Sequence, residues 1–123
     1  MATAVETYRR DVVLALPKEQ LLLKIFDALL LSIDDAEQAL AAADRPRAGR
    51  AISKAFDIVT ALREALDPSA GAACTPQLDQ LYRTVSAWLL EANLTQSGEL
   101  LRSARRILGT IKEGFDAAVR AAS

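Results

Sequence analysis

Apolar residues recur every three to four positions in four long segments of this 123-residue chain, and three short breaks separate the segments. This spacing puts apolar side chains on one face of an α-helix and therefore predicts four helices. They run at about 17–43, 47–66, 76–93 and 97–121. Pro17 and Pro76 suit the first turn of a helix, where a missing N–H costs no hydrogen bond. Asn93 favours the end of the third helix, and Ser97 or Thr95 is a fitting cap for the fourth.

Each predicted helix carries one apolar stripe, which is typical of a helix that packs against others around a common core. Short links make consecutive helices antiparallel neighbours, so the sequence predicts an all-α, antiparallel up-down four-helix bundle, with residues 17–123 as a single domain. Outside the second helix, the predicted core residues are Leu22, Ile25, Phe26, Leu29, Ile33, Ala36, Leu40, Leu78, Leu81, Tyr82, Val85, Trp88, Leu89, Ala92, Leu100, Ala104, Ile107, Leu108, Ile111, Phe115 and Ala118.

The second helix, "AISKAFDIVTALREALD" at residues 51–67, has a wider apolar arc than one neighbour requires. Its compact stripe consists of Ile52, Ala55, Phe56, Val59, Leu62 and Leu66. Ala51, Ile58 and Ala65 extend that stripe round one side, so that it approaches half the circumference. The extra width is explained either by the chain's own helices or by a partner.

Further apolar residues lie beside the main stripes. Leu23 and Leu30 form a second row on the first helix, Leu31 points away from its stripe, and Leu90 is off the stripe of the third helix. A single exposed leucine is normal in a soluble protein. As a set, these rows suit the docking of an amphipathic partner helix, with Leu23, Leu30, Ile58 and Leu90 as candidate contacts. Self-contained packing and a homodimer interface are the alternatives.

Composition excludes most other kinds of function. The net charge is −1, there is no histidine, and Cys74 is the one cysteine, so we expect no enzyme, metal, cofactor or nucleic-acid site. The acidic residues Asp27, Asp34, Asp35 and Glu37 and the arginine clusters at 45–50 and 102–106 have the character of solvated surface. The apolar run from Leu21 to Ile33 is too short and too charged to insert in a membrane, and a cytoplasmic protein is expected.

Residues 1–16 differ in kind. Val5, Tyr8 and Val12 keep a helical spacing, but a helix this short is marginal in water. We expect this N-terminal segment to be mobile and to fold only by lying on another surface.

Three stretches carry a resemblance to a known family. In order they are "LPKEQLLLKIFDALL", "AISKAFDIVTALREALD" and "LDQLYRTVSAWLLEANL", of which "ISKA", "ALD", "LY" and "EANL" are the most specific pieces. Together they resemble the flagellar export chaperone family FliS, from Tyr8 to about Phe115.

The resemblance implies a non-enzymatic bundle that holds the C-terminal region of flagellin in the cytoplasm, prevents its premature polymerisation and helps deliver it to the export apparatus. It also implies that the N-terminal segment covers part of the binding groove and moves when flagellin binds. The family's pattern of an apolar residue three positions before a tyrosine falls on Val5 and Tyr8, which makes them the candidates for this cover and for contact with a component of the export gate.

Overall fold

Four helices make up the structure, a computed structural model that describes residues 18–66 and 75–122. They are α1 (Lys18–Ala41), α2 (Arg45–Glu64), α3 (Thr75–Thr95) and α4 (Gly98–Ala122). The helices follow one another round a ring, because α1 packs against α2 and α4, and α3 packs against the same two helices. The predicted all-α four-helix bundle is confirmed.

Ion pairs between α1 and α4 show that neighbours run in opposite directions. Lys112 pairs with Asp27 and Arg105 pairs with Asp34, so residue numbers fall along α4 as they rise along α1. The ends of α1 and α3 therefore lie at the same end of the bundle as the starts of α2 and α4. Within the described ranges, none of the helices is both long enough and apolar enough to cross a membrane.

Helices α1 and α3 end in the same way. Ala43 and Gln96 both have φ of 56°, in the left-handed region. The N–H of the next residue donates to the carbonyl five positions earlier, at 2.8 Å after α1 and 3.1 Å after α3. This Schellman arrangement satisfies helix-end carbonyls and turns the chain within a few residues.

Side chains cap the two helices that start at this end. The Leu100 N–H donates to the Ser97 hydroxyl at 3.2 Å, which identifies Ser97 as the cap of α4. The Thr95 hydroxyl instead donates to the Glu91 carbonyl inside α3, at 2.8 Å. Helix α3 thus continues two residues past Asn93, the predicted stop.

Helix α2 starts at Arg45, two residues before the predicted start. The Asp44 carboxylate accepts from the Arg47 N–H at 3.1 Å, and Pro46 lies in the first turn, where it is tolerated. Predictions for Pro17 and Cys74 lie outside the described residues.

The buried residues lie where the apolar stripes of the four helices meet. The large fully buried side chains are Tyr82, Phe26, Leu29, Ile33, Leu89, Leu101, Leu108, Val59 and Val85. The stripes were correct for most of these, but the prediction that Ile25 is in the core is wrong, since its side chain is 40% exposed. Leu101 was not predicted, although it is fully buried, because the face of α4 that meets the core centres on Leu101, Ala104 and Leu108.

Candidate functional site

The bundle leaves several large apolar side chains exposed to solvent. They are Leu21, Ile25 and Leu31 on α1, and Leu90 and Leu94 on α3. Leu31 is 68% exposed and Leu94 is 84% exposed, so neither helps to close the core. Ile25 is exposed although Ser32 and Ala36, which lie two and three turns later on the same side of α1, are buried.

Leu31 lies in a shallow groove between α1 and α2, which we call the α1–α2 groove. Its volume is about 210 Å³, and its lining residues are Ala28, Leu31, Ser32, Asp35, Ala51 and Lys54. Alanines on both helices leave room beside the leucine. The rim carries the Lys54 ammonium and the Asp35 carboxylate, so an apolar strip is bordered here by charge.

Ile58 belongs to the same side of α2 as this groove, since it follows Lys54 by four residues and Ala51 by seven. Ile58 is partly buried and packs against the core, and Ala51 is buried. Ala65, by contrast, is exposed. The bundle itself therefore covers much of the wide apolar arc of α2.

Leu30 lies on the other side of α1, in a larger groove that we call the α1–α4 groove. This groove has a volume of about 500 Å³ and is lined by Leu30, Asp34, Arg105, Arg106, Gly109, Thr110 and Glu113. Leu30 is partly buried and packs against the core. Leu23 is also partly buried and lies two turns earlier on the same side of the helix.

Leu90 lies on α3, away from both grooves, and is 52% exposed. It follows Asp79 by eleven residues, close to three full turns, so it shares the side of α3 on which Asp79 contacts Arg63 of α2. Leu94, one turn later, extends the same exposed strip.

The four described candidate residues thus do not converge on one site. Leu23 and Leu30 share the α1–α4 side, Ile58 lies on the α1–α2 side, and Leu90 borders the α2–α3 side. Val5 and Tyr8 lie outside the described residues. Among the described residues, Leu31 and Leu94 are the most exposed leucines, and of these two the sequence pattern places only Leu31 away from its stripe.

Ion pairs between described residues join α1 to α2, α1 to α4 and α2 to α3. Arg47 bonds Asp35 between α1 and α2, with Nε 2.8 Å from Oδ1. Lys112 Nζ lies 2.7 Å from Asp27 Oδ1 between α1 and α4, and Arg63 Nε lies 2.7 Å from Asp79 Oδ1 between α2 and α3. Water screens such half-exposed pairs, so they align helices more than they stabilise them.

The acidic residues of α1 lie at the surface, as expected, but they also pair with basic residues of neighbouring helices. Asp34 and Asp35 do point in different directions, but each reaches a neighbouring helix, Asp34 towards Arg105 and Asp35 towards Arg47. Arg105 also lies 2.8 Å from Glu37 Oε1, without the alignment of a hydrogen bond. Arg105 is accordingly part of a helix contact and not of a free basic cluster.

Two charged groups on these contacts have shifted pKa values. Hydrogen bonds from Arg63 and then Arg83 lower the pKa of the Asp79 carboxyl, and the hydrogen bond to Asp27 raises the pKa of Lys112. Both shifts favour the charged form and strengthen helix alignment at neutral pH. They are signs of paired charges, not of acid–base chemistry.

The chain is similar to known proteins. It matches the family model of the flagellar protein FliS over residues 1–122. This chain belongs to the FliS family. The flagellar secretion chaperone FliSB of Pseudomonas aeruginosa is 39% identical over 71 residues, which cover 58% of this chain and 56% of that relative. The aligned part therefore spans little more than half the relative's length.

Within the stretches that suggested the FliS family, several residues belong to the core. Ile52, Ala55, Tyr82 and Ala92 are all buried. Leu94, at the end of "EANL", is the most exposed of the large apolar residues that the structure describes. These stretches therefore combine core positions with exposed apolar positions, which also include Leu21, Ile25 and Leu90.

Proposed function

We propose that this member of the FliS family is a non-enzymatic secretion chaperone that binds the C-terminal amphipathic region of flagellin in the cytoplasm. Binding would prevent premature polymerisation and help deliver flagellin to the flagellar export apparatus. The family match and the name of the Pseudomonas relative support a role in flagellar secretion. The choice of flagellin rests on the sequence resemblance and on the surface chemistry.

The exposed leucines are the observation that carries this proposal. The core is already filled by sixteen buried residues contributed by all four helices. Leu31, Leu90 and Leu94 add nothing to it, yet they expose apolar area on two helices. A chaperone for amphipathic segments needs such area, because its client buries an apolar face that would otherwise drive self-assembly.

The energies are adequate for a reversible complex. Full burial of one leucine contributes roughly 1.5–3 kcal/mol, and each 1.4 kcal/mol is a tenfold change in affinity. Several leucines on different sides of the bundle suit a client that wraps round it. This spacing also explains why the candidate residues need not form a single pocket.

The candidates differ in how cleanly they report on binding. Ile58, Leu23 and Leu30 are partly buried, so a charge at any of them would disturb the bundle as well as a partner. We propose them as contacts at the edges of grooves. Leu31 and Leu94 are the better probes because their substitution leaves the core intact.

Calorimetric titration of a peptide from the C-terminal region of flagellin into the full chain tests the proposal. Wild-type protein should bind, and Leu31→Asp or Leu94→Asp should weaken binding at least tenfold, since each removes an apolar contact and adds a charge that must be desolvated. Far-UV circular dichroism should remain unchanged.

Gln80→Glu is the matched control. Gln80 is exposed on α3, more than two turns from Leu90 and Leu94, so this variant gains the same charge without losing a leucine, and it should bind within about threefold of wild type. Wild-type protein that shows neither heat nor a mobility shift at micromolar concentration would rule the proposal out. Binding that all three charges weaken equally would point to general electrostatics.

Val5 and Tyr8 are proposed to cover part of the groove and to contact a component of the export gate. A segment that competes with the client lowers the client's apparent affinity by the fraction of time it occupies the groove. In the same titration, the double variant Val5→Ala, Tyr8→Ala should therefore bind flagellin peptide more tightly than wild type. Unchanged affinity would argue against a cover.

A further inference from the structure

Burial divides helix α4 into two unequal halves. The helix has three fully buried side chains, which are those of Leu101, Ala104 and Leu108. After Leu108, none of the side chains that the structure describes is buried, and Ile111 and Phe115 are half-buried at the edge of the core. The second half of α4, residues 109–122, therefore gains less from the hydrophobic core than the first half.

This second half also contains two glycines, Gly109 and Gly114, that the packing does not require. A Cβ atom added at either position would meet no neighbouring atom within 4 Å. Glycine is less favourable than alanine in the interior of a helix, because its backbone loses more freedom on folding. Each glycine thus weakens this half of α4 without a compensating close contact inside the bundle.

Phe115 and Lys112 connect this half of α4 to α1. The centroid of the Phe115 ring lies 5.6 Å from that of Phe26, which is fully buried. Lys112 Nζ lies 2.7 Å from Asp27 Oδ1, but the Asp27 side chain is 56% exposed, so water weakens this pair. Movement of residues 109–122 away from α1 would uncover the Phe26 ring.

We propose that residues 109–122 form a lid that opens as one unit, with Gly109 as the hinge, while the rest of the bundle stays folded. Segments with few buried apolar contacts open at a lower free energy than the core. Opening exposes Phe26 and Phe115, and so creates an apolar surface that the closed bundle hides. This property belongs to the free protein and does not depend on the proposed function.

Native-state hydrogen exchange of the full chain, measured by NMR for single amides, tests the lid. Protection factors of residues 113–117 should be at least tenfold lower than those of residues 104–108, and within about threefold of one another, because one opening releases them all. A steady decline in protection along residues 109–122 would indicate fraying and would overturn the proposal. Protection equal to that of residues 104–108 would also overturn it.

Two alanine variants separate opening of the lid from global unfolding. Gly114→Ala should raise the protection of residues 113–117 about fivefold, since alanine favours the helical, closed state. Gly49→Ala is the matched control in α2, where the added Cβ would lie 3.7 Å from Asn93 Oδ1, an ordinary contact. It stabilises a part of the bundle that stays folded in the open state, so the protection of the lid should not change. Equal gains in the lid from both variants would mean that these amides exchange only by global unfolding.

Limited proteolysis with chymotrypsin provides a second readout, because the enzyme can cleave after Phe115 only when the lid is open. Under native conditions the rate of this cleavage follows the population of the open state. Gly109→Ala, six residues before the cleaved bond, should slow cleavage about fivefold by stabilising the closed helix. An unchanged rate would show that the hinge does not lie at Gly109, and would overturn the lid as defined.

Discussion

Tyr82 is the largest of the fully buried side chains, and its ring belongs to an aromatic group that joins three helices. Its centroid lies 6.5 Å from that of Phe26, which in turn lies 5.6 Å from that of Phe115. Both pairs are tilted, an arrangement that aromatic rings favour. Burial raises the pKa of the Tyr82 hydroxyl to about 12, because the phenolate would lose its hydration in the core.

This raised pKa predicts a loss of stability in alkali. The unfolded chain releases the Tyr82 proton near pH 10, while the folded protein keeps it until about pH 12, so the free energy of unfolding falls between these values. At pH 11 the contribution is about 1 kcal/mol. Urea unfolding of wild type and Tyr82→Phe at pH 8 and pH 11 should show a greater loss for wild type.

The comparison with Tyr82→Phe isolates this one group, because all other ionisable side chains are the same in both proteins. Equal losses of stability in the two proteins would mean that Tyr82 ionises in the folded state as easily as in the unfolded state. The hydroxyl would then be in contact with water.

Individual residues also show where sequence patterns lose accuracy. Helical periodicity distinguishes the buried face of α1, which contains Phe26, from the exposed face. It does not predict the exposure of each residue near the boundary between the two faces. The pattern placed Ile25 in the stripe and Leu23 beside it, yet Ile25 is exposed and Leu23 is partly buried. Leu101 was missed because the predicted stripe of α4 includes the adjacent residue Leu100 in its place, whereas the buried face of the helix includes Leu101.

At the helix ends, short sequence signals predict where helices begin and end to within a few residues. Ser97 caps α4, and Gln96 supplies the left-handed residue that ends α3, although glycine is commoner there. Two hydroxyl residues, Thr95 and Ser97, were equally good caps in the sequence. The turn between α3 and α4 favours Ser97 as the cap, because the left-handed residue Gln96 comes immediately before it.

Loss of the α4 cap should destabilise the bundle. Ser97→Ala leaves the Leu100 N–H without its partner and should lower the free energy of unfolding by about 1 kcal/mol. Thr95→Ala removes only a hydroxyl bonded within α3 and should change it by less than about 0.5 kcal/mol. Chemical denaturation of both variants provides the measurement. Equal losses, or a larger loss for Thr95→Ala, would contradict the assigned cap.

On the scale of the whole molecule, the arrangement of helices was more predictable than the surface. Four periodic segments with short links permit few topologies, so the bundle followed from the pattern. The surface depends on which edge of each stripe a neighbour covers. Leu30 and Ile58 were expected at a binding surface and are partly covered by the bundle, whereas Leu31 and Leu94 are open. Ion pairs between helices were equally hard to predict, because Asp35 and Arg47 come into contact only when the helices pack.

A bundle with a filled core and leucines exposed on two sides can bind a client or form a homodimer. These two modes of binding predict different species in solution. A client complex contains one copy of this chain with one flagellin, while self-pairing gives a dimer that flagellin does not disturb. The same exposed leucines serve either use, so the partner must be identified by measurement.

Sedimentation velocity of the full chain mixed with monomeric flagellin at micromolar concentration tests whether this protein binds flagellin as a chaperone. We predict a single boundary with the combined mass of one chain and one flagellin, and its loss when Leu31→Asp and Leu94→Asp are combined in the chain. Two independent boundaries, with flagellin sedimenting as it does alone and the chain as an unchanged monomer or dimer, would show that the protein does not hold flagellin.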